Sequence, residues 1–484
     1  MVAKRDYPRD VRIPRAAAAV PWPLLAVLAV QAALSASMVR TSTAFGDEAL
    51  YLSAGHLEWS HWLHGTPIPD YQTYFSGAPV IYPPIGAIAD SLGGLAAARL
   101  LSLVLMLGVT AFVWGTATRL LDDERAAFFA AATFAVLAPT LHLGSFATYD
   151  ATALLLLAAA TWCAAGARGG RREMRWMIAA GILLGLANAT KYATALYDPT
   201  VVCVAFLSSW PEADWRPALR RAAVLAGSAA ALIGVLLALG GPGYLTGIRV
   251  TTTGRVDGTD AASLVFADAW SWTAVVLVPA VAAVVVCAVR RRWPQALLLA
   301  VLALSALLAP ADQARIQTTT SLDKHVDFGA WFAAIAAGYL LSRLSRRRVV
   351  LAALLAALLP VTAEGTAQAR AMIDWPDAAA LVKVVRPMTS HGGHFLVETT
   401  DVLQYYLPNT TWQQWSGTAS NSPQYYLRRI REHYYTLIVL GFNQTLSTDY
   451  AISVELSSTS GYTLASKVHS GKTVFYVWEY TGRV

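Results

Sequence analysis

Eleven apolar runs dominate this chain, and they leave few folds open to it. The first runs from about Ala16 to Met38; ten more lie near 84–120, 126–141, 150–167, 176–190, 192–208, 221–241, 268–289, 295–310, 328–343 and 349–365. A helix needs roughly 20 apolar residues to cross the hydrocarbon core of a bilayer. Hydrophobic residues make up 56% of the chain and charged residues only 14%, against roughly 25% charged in soluble domains. The expected fold class is therefore an α-helical polytopic membrane protein with about eleven transmembrane helices. The net charge of +7 does not point to nucleic acid, because the basic residues sit in short loops such as ARGGRREMR, PEADWRPALRR, RRRWP and SRLSRRR. Those loops fit the cytoplasmic side. The acids and aromatics gather in the alternate loops. An error of one helix would invert every later loop, so the parity supports eleven spans, a cytoplasmic N-terminus and an extracytoplasmic C-terminus.

Three regions follow. Residues 1–15 form a basic cytoplasmic arm, 16–365 the transmembrane domain, and 366–484 a soluble extracytoplasmic α/β domain of about 120 residues. In the last region the apolar runs shrink to strand length in HFLVE, YTLIVLGF and KTVFYVWEY, with helix-like DAAALVKVV and PQYYLRRIREHYY between them. The first outer loop, 39–82, carries Trp59, Trp62, Tyr71, Tyr74 and Phe75 among polar residues, which fits amphipathic helices in the interface plane. The stretch IGAIADSLGG reads as a short non-spanning piece ahead of the second span. Cys163, Cys203 and Cys287 lie inside apolar segments without metal-ligand spacing. No phosphate-binding loop, nucleotide-binding glycine turn or zinc-protease helix motif occurs. A group-transfer enzyme of this kind would draw its donor from the membrane.

The polar residues that interrupt this pattern are the candidates for chemistry. Asp47-Glu48, in AFGDEALYLSAG, follows the first span. Such a pair can accept a proton from an attacking hydroxyl or hold a cation; a solvated pair at a helix start is the plainer reading. Tyr82-Pro83-Pro84 suits a helix start after an extended entry. Asp150, in HLGSFATYD, is a helix N-cap, a catalytic partner, or both. His142 reads as a hydrogen-bonded interface residue rather than a metal ligand. Lys191-Tyr192 breaks an apolar stretch, and its lysine either snorkels or neutralises a lipid phosphate. Arg249, Arg255, Arg315, Lys324 and His325 put positive charge on the outer side against the positive-inside trend. One or two of them are expected to hold an anion, and Arg suits phosphate by its planar fork of donors.

In this order the features resemble the GT-C glycosyltransferases: the aminoarabinose transferases, protein O-mannosyltransferases and RgtA-B-C-D-like proteins. The matching residues are Asp47-Glu48 with Tyr51, Tyr82-Pro83-Pro84, Asp150, and GILLGLANATKY ending in Lys191-Tyr192. The resemblance covers roughly the first 200 residues; the rest agrees by layout. It implies a hexosyl- or pentosyltransferase of the bacterial cell envelope using a polyprenyl-phosphate sugar donor. Transfer would go to a glycan, lipid, protein or small-molecule acceptor outside the cytoplasm, with inversion. Asp47 becomes the base, Glu48 a support for acceptor or metal, and Asp150 the second acid. Lys191, Arg255, Arg315, Lys324 and His325 become donor-phosphate contacts, and Tyr51, His56, Tyr82 and Tyr192 the substrate pocket. Many members need a divalent metal, so Mg or Mn at Asp47 and Glu48 is an implied cofactor. Many relatives carry a basic residue or His before the double proline, where this chain has Tyr82. The rival reading is a lipid or solute transporter or flippase, or a scaffold displaying the C-terminal domain.

Overall fold

The computed structural model describes residues 21–166, 172–210 and 215–482. The basic arm 1–15 and parts of two expected cytoplasmic loops, 167–171 and 211–214, lie outside the described residues. Within the described residues each of the eleven apolar runs is helical. The first is α1 (Trp22–Ala36). The outer loop holds α2 (Gly46–His64), and then comes α3 (Tyr82–Leu121). The next run divides into α4 (Glu124–Ala135) and α5 (Ala138–Leu143), with Pro139 opening the second piece. After these come α6 (Tyr149–Ala165), α7 (Glu173–Thr190), α8 (Asp198–Leu207) and α9 (Trp215–Thr251). The bundle ends with α10 (Ala262–Val289), α11 (Trp293–Leu304), α12 (Leu308–Arg315), α13 (Leu322–Leu344) and α14 (Arg348–Ala371). Among the described residues five helical segments are long and apolar enough to cross a membrane, and α1, α6 and the stretch Tyr192–Leu207 are shorter apolar helices. The chain is a multi-pass membrane protein.

Two breaks matter for the site. The short piece ahead of the second span is real: α3 is interrupted at Gly93-Gly94, where Gly94 has φ 66°. Its first turns lie against α2, and the contact is close. A Cβ on Gly55 would sit 1.9 Å from the carbonyl oxygen of Pro83. The second break is the tight reversal expected at 188–192. Helix α7 ends at Thr190, Lys191 is extended (φ −148°, ψ 115°), and a 3-10 turn over Tyr192–Tyr197 leads into α8.

The C-terminal region continues with α15 (Ala379–Thr389), β1 (His394–Val397), α16 (Thr400–Tyr406), β2 (Trp415–Gly417), α17 (Pro423–Arg431), β3 (Tyr435–Leu440), α18 (Leu446–Ser458), β4 (Tyr462–Ser470) and β5 (Thr473–Tyr480). The sheet order is β2-β1-β3-β5-β4; the first three strands are parallel and β5 is antiparallel to both its neighbours. The three strands with continuous apolar sequence are β1, β3 and β5. Strand β2 is three residues long, and edge strand β4 alternates with much of its length exposed. Neither leaves an apolar run in the sequence.

This region sits on the first outer loop. Trp375 donates its indole N–H to the Thr43 carbonyl at 2.9 Å, and the Ala378 amide donates to Thr43 Oγ1 at 2.8 Å. The Ala44 amide donates to Tyr406 Oη at 2.8 Å, and Trp412 donates to the Pro67 carbonyl at 3.1 Å. Helix α16 lies along α2, which places Asp401 at the seam. Burial first, then the nearby charge of Asp47, pushes the Asp401 carboxyl from 3.8 up to about 6. Between those values the folded protein holds a proton that the unfolded chain has released. Stability therefore falls as pH rises through that window. Asp401→Asn is expected to raise folded stability at pH 7.5 by about 1–3 kcal/mol, with the gain shrinking towards pH 4. Thermal unfolding in detergent across that range checks it.

Candidate active site

The two acids of the outer loop part company. Helix α2 starts at Gly46, so Asp47 and Glu48 both fall in its first turn, where the helix dipole favours negative charge. Glu48 turns inward and is fully buried. Arg99 of α3 grips it with Nε to Oε1 at 2.8 Å and Nη2 to Oε2 at 2.6 Å. The amides of Phe45 and Ala147 donate to the same carboxylate at 3.0 and 2.8 Å. Arg99 spends its remaining donors on the carbonyls of Val39, Ser42 and Thr43. One buried ion pair thus ties the loop, α2, α3 and the turn before α6.

Asp47 turns the other way. Its Oδ2 accepts from Lys324 Nζ at 2.7 Å; the lysine side chain is 7% exposed and the acid 35%. Lys324 comes from the first turn of α13, so this pair links the outer loop to a helix 277 positions further along the chain. Both residues line a cavity of about 890 Å³. Lys191, Arg255, Arg315 and His325 line it too, together with Tyr51 and Tyr192. Ile233, Leu236 and Leu237 of α9 give it an apolar wall.

Asp150 stands behind this lining. It is buried in the first turn of α6, accepts from Thr148 Oγ1 at 2.9 Å, and forms an ion pair with Lys191. Arg315 and His325 also have partners. Arg315 reaches Asp312 at 2.9 Å. His325 Nδ1 lies 3.2 Å from Gln313 Nε2. The side chain of Arg255 has no hydrogen-bond or ion-pair partner among the described residues, so its fork of donors is uncommitted. His142, as expected, is an interface residue. It is buried, stacks on Phe146 at 4.8 Å and lies 3.4 Å from Asp323.

Three expectations need correction. Glu48 is neither a second catalytic acid nor a metal ligand, because both its oxygens are taken by Arg99 and two amides. His56 does not line the cavity; it faces Asp90 Oδ2 at 2.7 Å on the outer side of α2. Tyr82 is fully buried in an aromatic cluster with Tyr51, Phe75 and Tyr149, where its ring supports Gly86 rather than the cavity. The implied divalent metal loses Glu48, one of its two expected ligands. With Glu48 turned away and Asp47 facing an ammonium, no group of three or more His, Cys, Asp or Glu side chains among the described residues is placed to hold an ion. Residues that sequence reasoning passed over are Tyr149, Ser76, Gln313 and Asp198, all on the cavity wall. A buried aspartate neighbour marks Tyr149, but Ser76 carries no sequence signal.

Residues 86–252 match the family model described as dolichyl-phosphate-mannose-protein mannosyltransferase. That segment contains Asp150 and Lys191 and excludes Asp47 and Lys324. No curated protein matches the chain by sequence. By structure the chain is similar to ArnT from Cupriavidus metallidurans in the apo state, with a TM-score of 0.62, 14% identity, and 94% of this chain and 97% of that one covered. The same protein bound to undecaprenyl phosphate gives a TM-score of 0.60 at 15% identity, covering 95% and 98%. The oligosaccharyltransferase AglB from Archaeoglobus fulgidus, in complex with an inhibitory peptide and a dolichol-phosphate, gives 0.55 at 15% identity, covering 94% and 74%. The resemblance to the GT-C glycosyltransferases therefore holds for the fold over nearly the whole chain.

The Glu48–Arg99 pair yields a stability test. Arg99→Met leaves a buried carboxylate without its cation and is expected to cost about 3–5 kcal/mol. Adding Glu48→Gln to that variant should recover part of the loss. Unfolding in detergent, followed by tryptophan fluorescence, reads both.

Proposed function

We propose that this protein is a GT-C glycosyltransferase that moves a sugar from a polyprenyl-phosphate donor to an acceptor hydroxyl, at the extracytoplasmic face of a bacterial cell membrane. The observation that carries this reading is the shared cavity: Asp47, a carboxylate accessible to a substrate, lines it together with Lys191, Lys324, Arg255 and Arg315, beside an apolar wall. The donor's phosphate suits the cations, with the free fork of Arg255 as its first contact. The lipid tail suits the side of α9 that carries Ile233, Leu236 and Leu237. The acceptor enters beneath the C-terminal domain, which overhangs α2.

The acceptor oxygen attacks the anomeric carbon and forms the new C–O bond. The bond from that carbon to the phosphate oxygen breaks, and the phosphate leaves with the electron pair. Asp47 takes the acceptor's proton. A single displacement of this kind inverts the anomeric centre. The Asp47–Lys324 pair links the two events. Once Asp47 is protonated it no longer holds the ammonium by charge. Lys324 is then free to meet the phosphate as its negative charge grows. Asp150 acts through Lys191, holding that ammonium against the cavity wall, and is a positioning residue. No step passes through a metal.

Two outcomes test the assignment. Asp47→Asn is expected to keep the fold and donor binding while lowering transfer or hydrolysis of a labelled polyprenyl-phosphate sugar by about 10²–10⁴-fold. Near-normal turnover counts against the base, and donor binding without bond cleavage in the wild type favours a transporter. Arg255→Gln should weaken binding of polyprenyl phosphate by about tenfold or more, the loss expected of a charge-assisted contact of about 1.5–3 kcal/mol. Tryptophan quenching or calorimetry in nanodiscs measures it.

A further inference from the structure

The cavity wall beside Lys191, whose Nζ lies 5.4 Å from the Tyr149 ring, carries three hydroxyl groups in series. Tyr51 Oη and Tyr149 Oη lie 2.7 Å apart, and Tyr149 Oη is also hydrogen-bonded to Ser76 Oγ. All three residues line the cavity. Each hydroxyl has one proton to donate. Two hydrogen bonds use two protons of the three, so one O–H is left over however the series is polarised. Among the described residues none of the three side chains has another hydrogen-bond partner. The spare donor is best placed on Ser76, because Tyr51 and Tyr149 are buried while Ser76 is only partly covered. The two phenols behind it then polarise its O–H in the same sense.

Ser76 is held in place by close contact of two backbones. The amide of Tyr192 donates to the Ser76 carbonyl at 2.9 Å, and the amide of Ala78 donates to the Ala189 carbonyl at 2.7 Å. Between them a Cβ on Gly77 would lie 1.9 Å from the carbonyl oxygen of Thr190. Only glycine permits this approach, and it fixes Ser76 to the turn that carries Lys191. Around the hydroxyls stand ring faces. Tyr51 lies 4.4 Å from the Tyr149 ring and 5.3 Å from Phe75, and Phe75 and Tyr74 also line the cavity.

A neutral donor beside aromatic faces matches a different part of the donor lipid from its phosphate. A sugar presents C–H faces to aromatic rings and oxygens at its edge to O–H donors. A phosphate would instead meet the cations, with the Arg255 side chain first. We infer that Ser76, backed by Tyr149 and Tyr51, is the contact that recognises an oxygen of the transferred sugar, and so distinguishes a glycosylated polyprenyl phosphate from the bare lipid. This rests on the polyprenyl-phosphate reading above and adds the place where the sugar is held.

The test uses the full-length protein in nanodiscs. Affinity is measured for decaprenyl phosphate and for a panel of decaprenyl-phosphate-linked mannose, glucose, galactose and arabinose. At least one glycosylated lipid should bind the wild type more tightly than decaprenyl phosphate does. Ser76→Ala should weaken that binding by about 3–10-fold, the worth of one neutral hydrogen bond, and leave decaprenyl phosphate within about twofold. Tyr149→Phe, which keeps the ring, should act in the same direction. Thermal unfolding of Ser76→Ala should match the wild type, and equal weakening for all lipids would mark a merely structural change and overturn the inference. It also falls if no glycosylated lipid outbinds decaprenyl phosphate, or if the preference survives Ser76→Ala, in which case the third proton goes to water. Failure of the wild type to bind decaprenyl phosphate at all would instead bring down the polyprenyl-phosphate reading itself.

Discussion

A buried guanidinium–carboxylate pair holds the working end of this molecule together. Arg99 and Glu48 are each almost completely shielded from solvent. Removing two charges from water is costly and is offset only when every donor and acceptor is satisfied. Here they are: Glu48 takes two contacts from Arg99 and two from backbone amides, and Arg99 also caps three carbonyls of the outer loop. The arrangement works because α2 begins where it does. With Glu48 one residue after Asp47 in the same helical turn, anchoring the first sets the direction of the second. Asp47 faces the cavity because its neighbour faces Arg99.

The same logic extends outward. The C-terminal domain is attached through Thr43, Ala44 and Pro67, and the carbonyl of Thr43 serves both Arg99 and Trp375. The loop that orients Asp47 is thus also the loop on which the domain rests. Tyr405 of α16 adds a further contact at Asp90, which His56 meets on its other oxygen. An acceptor passing between the domain and α2 would move along surfaces whose spacing the Arg99 hub already sets. That gives the domain a reason to be rigidly placed rather than tethered.

Much of the fold was legible because it follows from the bilayer. Apolar length, charge asymmetry between loops and paired glycines or prolines at breaks all leave marks in a single sequence. Asp47, Asp150 and Lys191 were legible for the same reason, since ionisable groups stand out in apolar surroundings. Their partners were less so. Lys324 was visible as a cation on an unexpected side, but nothing in one sequence joins it to Asp47 across 277 residues. Glu48 and His56 were misread because adjacency in sequence was taken as adjacency in the site. Helical rotation sends Glu48 into the core, and His56 faces Asp90 on the side of α2 away from the cavity. Ser76 was invisible, as its place depends on Gly77 meeting the carbonyl of Thr190, a contact that appears only when two distant turns are brought together.

The charges in the cavity are arranged as a set of exchangeable pairs. Lys191 has Asp150, Lys324 has Asp47 and Arg315 has Asp312, while Arg255 stands without a carboxylate among the described residues. A site built to bind an anion tightly in its resting state would leave more of its cations open. Here most of the positive charge is already compensated, so the first contact with an incoming phosphate is modest. The larger electrostatic response is held back until a carboxylate is neutralised. Of the three carboxylates, Asp47 is the one that both lines the cavity and faces a nearly buried ammonium. Proton transfer to it changes the charge balance at the moment when the departing phosphate gains charge. Interactions that strengthen only in the transition state accelerate a reaction, whereas those already made in the ground state do not. A paired lysine that becomes available on proton transfer belongs to the first kind.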